Sequence, residues 1–281
     1  LKIARNYGSK KDKEEIIAMT SSFHGRTIGA LSVGSNKKYK SDIGPVPGKV
    51  KFCKFNDVSH LKKLVNKKTI AIIIEFIQGD GGINICSKTF AKAIKDIWKN
   101  KRILLIGDEI QGGIGRTGKI FAYKHYGVNP DIITSAKGLG SGIPIGATIV
   151  KKYISKIIST GFHGSTFGGG MLQTRVSYNV LKSINTKSFL SKVLINGKLL
   201  SSLLKKLHDN HKDKIVDTRC LGLMAGIEFK NDEIALKTYN KMARNGLIST
   251  LIQGKIIRLT PPLIVSKIEI NKAILIVAES L

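Results

Sequence analysis

Lys137 stands between a short apolar run, "DIIT" (131–134), and the glycine cluster of "SAKGLGSGIPIGA" (135–147). A lysine among closely spaced glycines can serve a phosphate cradle, a dinucleotide turn, or covalent chemistry by its amine. The cradle needs its glycines before the lysine and a serine or threonine directly after it; here the glycines follow. The dinucleotide turn needs its third glycine three residues beyond the second, and Gly138, Gly140 and Gly142 miss that spacing. The amine remains. A strand-end lysine in a partly apolar pocket is stripped of water and becomes a usable nucleophile, the plainer alternative being a surface lysine in a loop.

Asp108 closes a second apolar run, "RILLIGDEI" (102–110). A carboxylate ending a buried strand is costly unless a cation compensates it. The ring nitrogen of pyridoxal phosphate is such a cation, and that cofactor's chemistry requires an acidic partner for it. A carboxylate capping the next loop is the alternative.

Three runs, "TIAIIIEFI" (69–77), "RILLIGDEI" and "DIITSAK" (131–137), are apolar on both faces and read as buried strands of a mostly parallel sheet. "SKTFAKAIKDIWKNK" (87–101) has helical periodicity and makes a strand–helix–strand unit with the first two. The runs end on Glu75, on Asp108 with Glu109, and on Lys137; carboxyl ends of parallel strands are where open α/β sheets bind ligands. "LKIARNYGSKKDKEEII" (1–17) reads as a helix already under way at Leu1. Beyond residue 180 the pattern changes to a long amphipathic helix (185–210), a strand-like stretch (215–229), a helix near 232–245, "KIIRLTPPLIV" (255–265) and a last helix. The expected fold is α/β, with a large domain at 1–183 built on a mostly parallel sheet and a smaller α+β domain at 184–281.

The 281 residues are 42% hydrophobic and 23% charged, a globular composition. The 47 Lys and Arg against 19 Asp and Glu give a net charge of +28. These lysines are scattered in short groups ("NKKYK", "LLKKL") without aromatic interleaving, so they read as a solvated surface rather than a specific nucleic-acid face. Weak binding to polyanions at low salt follows from the charge alone. Cys53, Cys86 and Cys220 are odd in number and far apart, which favours free thiols in a reducing, cytoplasmic setting. No stretch has the length of a membrane span, and the start carries no signal-peptide pattern. "HDNH" (208–211), two histidines on a helix end, reads as a surface feature, and no metal site is expected.

"FHGRT" (23–27), "GDEIQGGIGRTGKIFAYKHYGVNPDIITSAKGLGSGIPIGA" (107–147) and "HGSTFGG" (163–169), in that order, resemble class III pyridoxal-phosphate aminotransferases of fold type I. The acetylornithine and ornithine aminotransferases are the most similar subgroup. The resemblance implies that Lys137 binds pyridoxal 5'-phosphate covalently and shuttles the proton, and that Asp108 pairs with the ring nitrogen. It implies that Gln111 reaches the ring oxygen side and that Phe23 stacks on the ring face. Arg26 would bind a substrate carboxylate through its planar fork, with Glu75 also at the substrate and Arg258 near the substrate or the subunit interface. Ser165 and Thr166 would reach the neighbouring subunit's site, Thr166 at the cofactor phosphate, in a homodimer with shared active sites.

Departures from the family pattern are Phe76 for a proline, Asp80 for a glutamate, and "FGGGMLQ" (167–173) for the usual "FGGNPLA". The shorter Asp80 could loosen whatever it orients. The family's glycine-rich phosphate-binding turn and everything before it, together roughly the first quarter of a typical member, would lie upstream of Leu1. The expected activity is transfer of the ω-amino group of N-acetylornithine to 2-oxoglutarate, in arginine biosynthesis. The alternatives are ornithine or another ω-amino acid such as succinyldiaminopimelate as the donor, an inactive truncated fragment of such an enzyme, or a basic binding protein that keeps the scaffold.

Overall fold

Glu15 opens the run EIIAM, whose last four side chains are all buried, and this is β1 (Glu15–Met19). The computed structural model describes all of residues 1–281. Next come β2 (Lys49–Cys53) and β3 (Thr69–Ile74), then the short ladder of β4 (Ile77–Gln78) with β5 (Asn84–Ile85). They are followed by β6 (Leu104–Asp108), β7 (Ile132–Ser135) and β8 (Ala147–Val150). Six of these form one sheet in the order β2-β1-β3-β6-β7-β8, parallel throughout except for the antiparallel edge strand β8. Every residue of β3 and β6 is buried, as strands covered on both faces must be.

Among the helices of this first unit, α1 (Lys2–Ser9), α2 (Ile28–Val33) and α3 (Val58–Leu64) precede α4 (Lys88–Lys101). α4 starts where the Ser87 hydroxyl accepts from the Phe90 amide, and it buries Phe90, Ala91, Ala93 and Ile94. α5 (Lys152–Ser155) and α6 (Met171–Ile184) follow. Asp131, at the foot of β7, is 2% exposed and accepts from three directions. The Trp98 indole N–H of α4 donates at 2.6 Å, the Leu105 amide of β6 at 2.9 Å and Lys151 Nζ, just past β8, at 2.8 Å.

The helix expected to run through 1–17 stops at Ser9. Residues 10–15 supply no apolar stripe, and Ile16, Ile17, Ala18 and Met19 are apolar on consecutive positions, a pattern for a strand buried on both faces. β2 and β8 join the sheet at its edges as partly exposed strands that the apolar runs do not announce.

The second unit comprises 77–85, 112–122 and 182–281, and the first comprises 1–76, 86–111 and 123–181. It contains α7 (Lys187–Asn210), β9 (Ile215–Leu221), β10 (Met224–Phe229), α8 (Asp232–Arg244), β11 (Thr250–Ile252), β12 (Ile256–Leu259) and α9 (Lys267–Ser280). Its sheet is antiparallel, β11-β12-β10-β9, over a core that includes Leu200, Leu204, Ile227, Phe229, Met242 and Val277. Two excursions from the central part of the chain fold with it because polar contacts tie them there. Arg116 donates to the carbonyls of Leu223, at 3.0 Å, and Pro261; Arg219 donates to Gly82 O and Asn84 Oδ1, both at 2.7 Å. Gly222 turns the β9–β10 hairpin at φ +59°, and any Cβ there would lie 2.6 Å from the Thr117 backbone.

The three cysteines are free, and burial pushes each thiol up to about 12. No helix is long and apolar enough to cross a membrane.

Candidate functional site

β1, β3, β6 and β7 are parallel neighbours, so their carboxyl ends share one edge of the sheet. The chain leaves that edge through Phe23, His24 and Arg26 after β1, Glu75 after β3, Asp108 at the end of β6, and Lys137 after β7.

Asp108 is held from both of its oxygens. Oδ2 lies 2.6 Å from His24 Nδ1, and Oδ1 accepts from the Ile110 amide and the Thr134 hydroxyl, each at 3.1 Å. The Asp108 side chain is 6% exposed and that of His24 3%. The carboxylate thus caps the next loop and also has a potential cation beside it. Burial pulls the His24 pKa down, but the hydrogen bond to Asp108 and the charges of Asp108 and Glu75 outweigh it. The net direction is upward from the ordinary 6.5. Nδ1 is therefore the donor in this pair. His24 Nε2 and Ser135 Oγ are among the buried polar atoms that find no partner in the chain.

Glu75 is buried, and its Oε2 accepts from the Phe23 amide at 3.0 Å, fixing the segment after β1 to the end of β3. Phe23 is half-buried and meets the Tyr39 ring edge-on at 6.1 Å. Arg26 is exposed, with its guanidinium 3.7 Å from the Tyr39 centroid. Gln111 is half-buried, three residues past Asp108.

Lys137 is exposed and opens a 3₁₀ turn, Lys137–Leu139, at φ +47°. The chain does not wrap it in the partly apolar pocket that its place after a buried strand suggests. Its loop is shaped by the glycines. A Cβ at Gly140 would lie 1.9 Å from the Ile143 carbonyl oxygen, and Gly142 sits at φ +105°. Ser165 and Thr166 are exposed within 163–169.

In the second unit Arg258, on β12, donates from Nη1 to Asp80 Oδ1 at 2.7 Å. The carboxylate at 80 is therefore engaged by an arginine, and the Asp80 carbonyl also accepts from Gln253 Nε2 at 3.1 Å. Phe76 is buried in the first unit and stacks on Tyr126 with centroids 5.3 Å apart, so the side chain that replaces a proline has a packing role.

His24 and Tyr39 are the residues that sequence reasoning misses. His24 lies inside "FHGRT", between Phe23 and Arg26, and that position is the available signal. Nothing in "NKKYK" marks Tyr39.

The class-III aminotransferase model matches residues 1–281. The chain is 40% identical over 279 residues to the acetylornithine aminotransferase of Methanocaldococcus jannaschii, covering 98% of this chain and 69% of that protein. It is 39% identical over 288 residues to ornithine aminotransferase 1 of Staphylococcus saprophyticus, covering 100% and 72%. Among solved structures, the ornithine aminotransferase of Toxoplasma gondii superposes with a TM-score of 0.94 at 28% identity, over 99% of this chain and 68% of that one.

Proposed function

The chain belongs to the class-III aminotransferase family, and we propose that it moves the terminal amino group of N-acetylornithine to 2-oxoglutarate, as a step of arginine biosynthesis. The likeness to an acetylornithine aminotransferase supports that donor, and the likeness to an ornithine aminotransferase supports ornithine as the second reading.

The family works with pyridoxal phosphate, which when bound serves as an electron sink for the charge left on the amino-bearing carbon as its proton departs. The residues present fit it. Asp108 is a buried carboxylate at a strand end, where a ring-nitrogen cation gives it the second cationic neighbour that its burial favours. His24 Nε2 and Ser135 Oγ are buried polar atoms still lacking partners. Lys137 Nζ makes no ion pair or hydrogen bond within the chain, and its exposed amine would hold the cofactor and then move the proton at the substrate carbon.

Phe23 would cover a face of the ring, Gln111 would donate toward its oxygen, and Thr166 of a second copy would meet the phosphate. Arg26 would take a substrate carboxylate by its fork, with Glu75 of the same chain and Ser165 of a second copy beside the substrate. One observation carries the reading: an unengaged lysine and a histidine-held carboxylate end adjacent parallel strands.

Borohydride reduction with peptide mapping should place the cofactor on Lys137, and label on another lysine would overturn the assignment. The half-reaction should run fastest with N-acetylornithine. A faster one with ornithine selects the second reading, and none with either points to an inactive scaffold.

A further inference from the structure

Arg26 makes no hydrogen bond or ion pair within the chain, yet its guanidinium is not loose. It lies 3.7 Å from the centroid of Tyr39 and 5.8 Å from that of Phe23. The Phe23 and Tyr39 rings meet at 81°, so the arginine sits against a two-ring corner. Tyr39 itself is anchored. It ends the 3₁₀ turn Lys37–Tyr39, in which the Asn36 side chain accepts from the Lys38 amide at 3.0 Å. Beyond it Lys40 Nζ donates to Gly34 O at 2.7 Å.

Guanidinium donors point outward in the plane of the group, so a ring on its face leaves the bidentate edge open. An arginine already ordered in this way loses less side-chain freedom when it grips a carboxylate. We propose that Tyr39 is a positioning residue, the platform that pre-orients Arg26 for the carboxylate of the substrate. The inference rests on the carboxylate-binding role proposed above for Arg26. Tyr39 then favours carboxylate-bearing substrates over plain amines.

The probe is glutarate, a dicarboxylate that cannot react, titrated calorimetrically into the cofactor-loaded protein. Tyr39→Phe keeps the ring face and should bind within about twofold of the parent, whereas Tyr39→Leu should bind about two- to fivefold more weakly. Thermal melts of both variants report folding. In turnover, Tyr39→Leu should raise the KM for N-acetylornithine while leaving kcat and the reaction of n-butylamine unchanged. Arg26→Lys is the control. If it weakens glutarate and a folded Tyr39→Leu does not, Tyr39 has no such role; the role also fails if Tyr39→Phe binds as weakly as Tyr39→Leu. If Arg26→Lys itself leaves glutarate binding unchanged, the carboxylate reading of Arg26 fails and takes this inference with it.

Discussion

His24 and Asp108 meet 2.6 Å apart with almost no solvent at either side chain, so protonation of the imidazole is coupled to folding. The pair raises the His24 pKa despite burial, which means that the folded chain binds this proton more tightly than the unfolded one. The stabilisation is fully present below the ordinary value of 6.5 and is lost as pH rises through the raised folded value. Denaturant titrations from acid to mildly alkaline pH should show the parent losing stability relative to His24→Gln above 6.5. Parallel pH profiles for the two proteins would show that the pair carries no such linkage. Asp108 and Lys137 are readable in the sequence because buried runs end on them. The histidine is not, since its partner lies 84 positions away and a single loop histidine has no period to betray it.

At the level of elements the sheet's readability follows burial. β3, β6 and β7 are covered strands with near-continuous apolar runs, and α4 has a clear buried stripe, so all four can be read from pattern. β1 is hidden behind a charged stretch that reads as more helix, and β2 and β8 are edge strands with mixed exposure. The assignment of 77–85 and 112–122 to the second unit depends on Arg219 and Arg116 reaching distant carbonyls, which no local pattern encodes. Asp131 belongs to the same class. It joins α4, β6 and the segment after β8 through a single carboxylate, and removing it leaves an indole N–H and an ammonium without their acceptor. Asp131→Ala should cost about 3 kcal/mol of stability, because a buried group is left unpaired, while Asp131→Asn should lose less by keeping an acceptor oxygen. Denaturant unfolding of the three proteins checks this; a loss below about 1 kcal/mol for the alanine variant would deny Asp131 its joining role.

The molecule as a whole carries +28, so two copies repel each other and any association between them should strengthen as salt screens that charge. An opposing, apolar term is available around the loop that carries Thr166. Phe167 is 83% exposed, Met171 89% and Leu172 65%, a grouping that monomeric proteins seldom leave uncovered. The proposed homodimer would cover this region and bring Thr166 to the partner's cofactor phosphate, and mixed variants can test it. Lys137→Ala and Thr166→Ala should each be strongly impaired alone. In a heterodimer of the two, one shared site carries both changes and the other carries neither. Random pairing from unfolded mixtures, at salt high enough to screen the charge, should then restore about a quarter of the parental sites. A site built within one copy would always carry one defect or the other, and mixing would restore nothing. Thr166→Ala retaining full activity by itself would instead remove Thr166 from the site.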